Sequence, residues 1–223
     1  MQRNGNNPCV KNPCLNLTAK NMNIKNNKLP AAFFQRDVLI VARELLGQTF
    51  VSRSNGKILS GLIVEVEAYD GSIDEAAHSF RGKTPRNEVM FEAGGLLYVY
   101  FTYGVHFCAN IVTGNCGEGK AVLLRGIEPI NGIKQMMINR FGRTSVSDKE
   151  SKNLTNGPGK ICQAFGINKE HNGIDLSGGR FFVLKNTNIE KNKVGISKRI
   201  GITKSVDLPW RFFIKNNLYV SHK

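Results

Sequence analysis

Ile58-Leu59-Ser60-Gly61-Leu62-Ile63-Val64-Glu65-Val66-Glu67-Ala68-Tyr69 carries the central structural signal of this chain. It follows Gln48 to Arg53 and the turn Ser54-Asn55-Gly56-Lys57, whose Asn-Gly pair favours a type I′ turn, so the two segments read as a β-hairpin. A strand's period of two puts Glu65, Glu67 and Tyr69 on one face and Val64, Val66 and Ala68 on the other. Two acids and a ring then share one surface.

Upstream, Asp37 to Leu46 carries apolar residues at helical spacing and reads as an amphipathic helix closed by Gly47 in the C′ position. Downstream, Asp74 to His78 reads as a short helical turn. Arg81 to Gly95, which contains Thr84-Pro85-Arg86-Asn87, is a loop long enough to suggest a binding role. Leu96 to Thr102 is the next strand, aromatic on one face through Tyr98 and Tyr100, and His106 to Thr113 returns after a tight turn at Gly104. With Tyr103 at the centre of that turn, Tyr100 faces His106, and Asn110 falls on the face of Tyr98 and Tyr100.

Lys120 to Arg125 reads as a strand, and Ile130 to Phe141, after Pro129, as a helix. Asn156-Gly157-Pro158 opens another helix that ends at Gly166, with the proline suited to its first turn. Phe181 to Leu184 and Arg199 to Thr203 read as strands, and Pro209 to Phe213 closes the pattern. Strands dominate without regular βαβ alternation, which predicts an α+β fold: a single domain with a curved, mainly antiparallel sheet and surrounding helices. That domain is expected over residues 29–223. Residues 1–28, rich in Asn and Lys and poor in large apolar groups, are expected to be a disordered basic tail. A DNA-contacting arm or an organelle presequence are the other readings of the tail.

At 223 residues and 41% hydrophobic content the chain can bury a full core. Its net charge is +14, and the excess is not confined to the tail: ten Lys/Arg follow Gly179, against Glu190 and Asp207 alone. Such a surface attracts polyanions, nucleic acid first. The five cysteines form no C-x-x-C pair, which argues against a disulfide scaffold or zinc knuckle; Cys108 and Cys162 sit among apolar residues, as buried free thiols do. No apolar run is long enough to span a membrane and the N-terminus lacks the apolar core of a secretory signal, so an intracellular protein is expected.

A carboxylate beside aromatic rings on a basic protein suits chemistry on an extruded nucleobase. Cleavage of a glycosidic bond passes through a cation-like sugar, and a carboxylate that orients water and stabilises positive charge is a natural catalyst. Glu67 is the candidate, although pattern alone does not separate it from Glu65. Tyr69, His78 and Tyr100 are suited to sandwiching a flat base, with extra attraction for a cationic purine. Tyr103, beside Gly104 at a hairpin tip, is suited to entering a duplex as a wedge, and Asn110 to reading a purine edge. Taken singly, each of these side chains is more often structural.

The set as a whole resembles the alkyladenine (3-methyladenine, methylpurine) DNA glycosylase family. The resemblance is carried, in order, by Glu65-Val66-Glu67-Ala68-Tyr69, Asp74-Glu75-Ala76-Ala77-His78-Ser79, Thr84-Pro85-Arg86-Asn87 and Met90-Phe91. It continues through Leu97-Tyr98-Val99-Tyr100, Tyr103-Gly104, Asn110, Leu123-Leu124-Arg125, Gly157-Pro158-Gly159-Lys160-Ile161-Cys162-Gln163-Ala164 and Pro209-Trp210-Arg211-Phe212. It implies a monomeric base-excision repair enzyme that acts on damaged double-stranded DNA and hydrolyses the N-glycosidic bond of altered purines without a metal or other cofactor. It further implies that Glu67 activates water, Tyr69 stacks on one side of the flipped base, and His78 and Tyr100 line the other. Tyr103 would intercalate, Asn110 would discriminate against the guanine amino group, and Arg125 would help hold the water and the DNA backbone. Two readings stand beside it: a damaged-DNA or RNA binding module without catalysis, and a lyase acting through the amine of Lys120 or Lys160.

Overall fold

A computed structural model of the chain describes residues 27–221, apart from 55, 103 and 187. The hairpin is its spine. Strand β1 (Thr49–Ser54) turns into β2 (Lys57–Asp70), with Ser54 opposite Lys57. Because β2 runs for 14 residues, its edges serve three partners. One edge pairs with β1 over its first half and with β8 (Arg211–Ile214) at Glu65 to Glu67; the other pairs with β5 (Lys120–Asn131) along almost its whole length. The antiparallel sheet has the order β3 (Leu97–Thr102), β4 (His106–Thr113), β5, β2, β1, β6 (Phe181–Leu184), with β7 (Val194–Ser197) added beside β8.

Helix α2 (Val38–Leu45) follows the one-turn α1 (Ala31–Phe34) and is capped by Asp37, whose carboxylate accepts from the Leu39 and Ile40 N–H groups. It places Val38, Val41, Ala42 and Leu45 in the core beside Phe50, Ile63 and Leu124. Helix α3 (Ile133–Phe141) and the short α4 (Asp148–Lys152) precede α5 (Pro158–Phe165), which buries Ile161, Cys162 and Phe165 in the same cluster. A smaller cluster of Met90, Tyr98, Val112 and Ala121 pins the long 81–95 loop. Asn87 ties that loop together, donating to the His78 and Gly82 carbonyls and accepting from the Thr84 N–H.

Several sequence expectations are revised. The β3–β4 turn centres on Gly104, since Thr102 opposes His106, so Tyr100 faces Cys108 and Tyr98 faces Asn110. The pairing differs from the expected one by an even number of residues, and Asn110 therefore stays on the aromatic face. Residues 199–203 form a loop, not a strand, because their polar groups are drawn to buried carboxylates. Helix α3 begins at Ile133, after Gly132 at φ +76°, because β5 continues to Asn131. The tail expected over 1–28 falls outside the described residues except for Asn27 and Lys28. The Asn27 carbonyl accepts from the Lys185 N–H at 2.7 Å, and Lys28 bridges Leu184.

Candidate active site

The register of β2 against β5 makes the site. It slips on both sides of Glu65, and in β5 it steps from Leu124 to Gly126, so Arg125 has no opposite residue. Such a bulge re-aims side chains next to a pocket. It leaves the Arg125 Nε 3.3 Å from Glu65 Oε1 and 3.4 Å from Glu67 Oε1. Both glutamates are fully buried, where an ordinary strand carboxylate would be solvated.

Burial of an ionisable group costs free energy unless partners offset it. Glu65 is held by the Arg211 Nε at 2.6 Å, the Ser221 N–H at 2.6 Å and the Ser221 hydroxyl at 2.8 Å. Glu67 has a lighter set: the Tyr69 hydroxyl donates to Oε2 at 2.9 Å and the Ile200 N–H to Oε1 at 2.8 Å. Burial pushes the Glu67 carboxyl above its ordinary value, and the Arg125 charge, the Ile200 N–H and the Tyr69 hydroxyl pull it back only in part. Glu67, unlike Glu65, lines an open cavity of about 730 Å³.

The walls of that cavity are aromatic. Tyr69 and Tyr100 line it with His78, whose ring stands at 72° to Tyr100 with centroids 4.4 Å apart. The His78 Nδ1 lies 3.0 Å from the Tyr98 hydroxyl, and the rings of Tyr98 and Tyr100 are 5.5 Å apart. Burial, and then the nearby Arg86 charge, lowers the His78 pKa from 6.5, so the imidazole is neutral at neutral pH. Burial raises the Tyr98 phenol to about 12 and drives Tyr69 and Tyr100 well above their ordinary value, so all three remain protonated. Asn110, only 4% exposed, also lines the cavity and spends one amide proton on the Tyr98 carbonyl at 3.1 Å.

The structure thus brings six of the seven sequence-selected residues, Glu67, Tyr69, His78, Tyr100, Asn110 and Arg125, into one cavity. Tyr103, the expected wedge, lies outside the described residues. Of the two lysines considered as nucleophiles, Lys160 lines the cavity and Lys120 does not. Burial, and then Arg140, lowers the Lys160 pKa, and its amine donates to Asn153 and Asn156. Lys120 is paired with Glu118 at 3.0 Å and Asp70 at 3.5 Å; burial pulls its pKa down, but those carboxylates outweigh it and hold it above the ordinary value.

Sequence reading missed the back of the site. Arg199 is clamped by both oxygens of the buried Asp74, at 2.5 and 2.8 Å, and donates to the Ala68 carbonyl; its guanidinium lies 4.5 Å from the Tyr69 ring centroid. That pair spans 125 residues of sequence and leaves no local signal. Arg211 did leave one. A charged residue inside the apolar run Trp210-Arg211-Phe212-Phe213 needs a buried acid, and Glu65 is that acid.

A buried carboxylate that faces an open, aromatic-walled cavity can orient a water and stabilise a developing cation. Lys160, Lys204, Arg140 and His106 line the same cavity, and the cations suit phosphates.

Residues 32–218 match the family model described as methylpurine-DNA glycosylase. Among relatives, a protein of Carboxydothermus hydrogenoformans is 46% identical over 196 residues, covering 87% of this chain and 99% of the relative. One of Desulfitobacterium hafniense is 44% identical over 202 residues, 88% of this chain and 99% of the relative. One of Alkaliphilus oremlandii is 43% identical over 202 residues, 88% of this chain and all of the relative. All three are provisionally named 3-methyladenine DNA glycosylase. The chain belongs to the methylpurine-DNA glycosylase family.

Proposed function

We propose that this protein is a monofunctional DNA glycosylase of base-excision repair, which takes an alkylated or deaminated purine out of duplex DNA and hydrolyses its N-glycosidic bond. The observation that carries the mechanism is the Glu67 carboxylate, fully buried yet facing the cavity, with two neutral donors and one guanidinium around it.

The flipped base enters between Tyr69 on one side and His78 with Tyr100 on the other, where stacking on ring faces is worth about 1–3 kcal/mol per base. Ionised Glu67 takes a proton from the water that attacks the sugar carbon, and its negative charge stabilises the cation-like transition state. Tyr69 and the Ile200 N–H fix the direction of the carboxylate, so little reorganisation is needed as charge develops. Arg125 completes the water site and meets the DNA backbone, and the Asn110 amide reads the purine edge against a guanine amino group. Tyr103 acts as the wedge. The acting unit is a monomer whose catalytic domain spans 29–223, and it works inside the cell, where its DNA is. Among the described residues no helix is long and apolar enough to cross a membrane.

Methylated duplex DNA incubated with the protein in chelator, followed by chromatography of the released bases, tests this directly. Free 3-methyladenine from the wild type, with release slower by about a hundredfold or more from Glu67→Gln, supports the proposal. Binding to damaged duplex without release would replace it with the non-catalytic binding reading.

A further inference from the structure

The Arg125 Nε has one proton and three acceptors within reach: Ser221 Oγ at 3.0 Å, Glu65 Oε1 at 3.3 Å and Glu67 Oε1 at 3.4 Å. The hydrogen bond goes to the serine. Ser221 is 7% exposed and uses every polar group it has. Its hydroxyl donates to Glu65 Oε1 while accepting from Arg125, its N–H donates to Glu65 Oε2, and its carbonyl accepts from Arg211 Nη2 at 3.1 Å.

Close backbone approach puts the serine there. A Cβ at Gly126 would lie 2.7 Å from the Tyr219 carbonyl oxygen and 2.9 Å from the Glu65 Cβ, so only glycine at 126 lets the 219–221 segment lie against β5 at the bulge. Tyr219 is fixed in turn by its N–H bond to the Asn217 side chain, which donates to Glu128 of β5.

We propose that Ser221 is a positioning residue for base excision: its hydroxyl saturates Glu65 and holds the Arg125 guanidinium between the two buried glutamates, which keeps that charge shared with Glu67. The inference rests on the reading of Glu67 as the water-activating carboxylate. Removing the hydroxyl has two consequences of the same sign. Arg125 loses the acceptor that anchors Nε, and Glu65 Oε1 loses a donor and competes more strongly for Arg125. The guanidinium then settles on Glu65. Glu67 gives up part of the attraction that favours its ionised form and takes up a proton at higher pH. The hydroxyl touches neither Glu67 nor the cavity among the described contacts, so its effect on the reaction runs through Arg125.

The test is the pH profile of single-turnover base release from methylated duplex by the full chain, wild type against Ser221→Ala, Ser221→Cys and Ser221→Thr. Ser221→Ala is expected to move the acid limb upward by roughly half a pH unit or more, and to lower the alkaline plateau as well, because the displaced Arg125 also completes the water site. Ser221→Cys, close in size but a weak hydrogen bonder, moves it in the same direction and serves if the alanine variant does not fold. Ser221→Thr, which keeps the hydroxyl, overlays the wild type. A uniform loss of rate with an unmoved limb, or a threonine profile displaced as far as the alanine one, overturns the proposal. Carboxyl carbon NMR of Glu67 provides a readout that needs no activity. An upward-shifted Glu67 titration in Ser221→Ala, in a protein that releases no base, would sink the glycosylase mechanism and leave the positioning role standing. An unshifted titration in a protein that does release base would do the reverse.

Discussion

Glu65 and Glu67 sit two residues apart on one strand, both fully buried, yet one closes a network and the other opens onto a cavity. Glu65 is wrapped by Arg211 and by two groups of Ser221, with Arg125 alongside. Glu67 is held by one phenol and one backbone N–H, with the same Arg125 Nε 3.4 Å away. Burial and negative charge therefore do not distinguish a catalytic carboxylate from a structural one. Acceptor capacity left over and access to a cavity do.

The largest effect that separates them is on turnover. Glu67→Gln should cut base release by about 10²- to 10⁴-fold, the usual worth of a positioned base. Its fold should survive, since a neutral amide in that site escapes the burial cost that raises the carboxyl's pKa. Glu65→Gln should do the opposite. It leaves the Arg211 charge buried and unpaired, a loss of about 3–5 kcal/mol in stability. Urea midpoints beside single-turnover rates for both variants check the pair, and a Glu67→Gln enzyme that turns over normally would end the distinction.

A middle-sized effect comes from the partners of Glu67. Tyr69→Phe removes a hydrogen bond to a charged acceptor, worth about 1.5–3 kcal/mol, and with it one influence that holds the Glu67 pKa down. Its acid limb should lie at higher pH than that of the wild type, read from rate against pH.

Proton linkage has the sign expected of a raised acid. The folded state binds the Glu67 proton more tightly than the unfolded chain, so this group favours folding below the ordinary carboxyl value of 4.5. That contribution is lost as pH rises through the raised folded value. Activity runs the other way, falling as pH drops through the same window, because the carboxylate must be ionised. Denaturant titrations of the wild type and Glu67→Gln should draw apart as pH rises through that window, the wild type losing stability against the variant, and settle on a constant offset above it.

The smallest effect belongs to the cavity's cations. Lys204→Ala should weaken binding to damaged and undamaged duplex alike and reduce the salt slope of log K by about one, without altering the acid limb. A changed limb would place Lys204 in the carboxylate network.

Much of this molecule was legible from local signals. Asn-Gly at the turn, Asp37 ahead of an apolar helical stripe and Pro158 at a first helical turn each act over a few residues and win wherever they occur. Strand alternation likewise put Glu67 with Tyr69 and Asn110 with Tyr98, and those pairings survived a turn centred one residue later than expected. Arg199 to Thr203, by contrast, reads as a strand in the sequence. The structure makes it a loop, since the Ile200 N–H is worth more on Glu67 than in a sheet ladder and Arg199 is needed by Asp74.

The antiparallel core, the aromatic face and the candidate carboxylates are written locally along the chain, because period and turn chemistry are carried by neighbouring residues. Which glutamate faces the cavity is settled in three dimensions. That choice depends on a bulge at Arg125, on Arg211 and on Ser221, partners up to 156 residues away that meet Glu65 only after the sheet has closed around them. A buried charge takes its character from its neighbours in space, and the chain near it does not encode them.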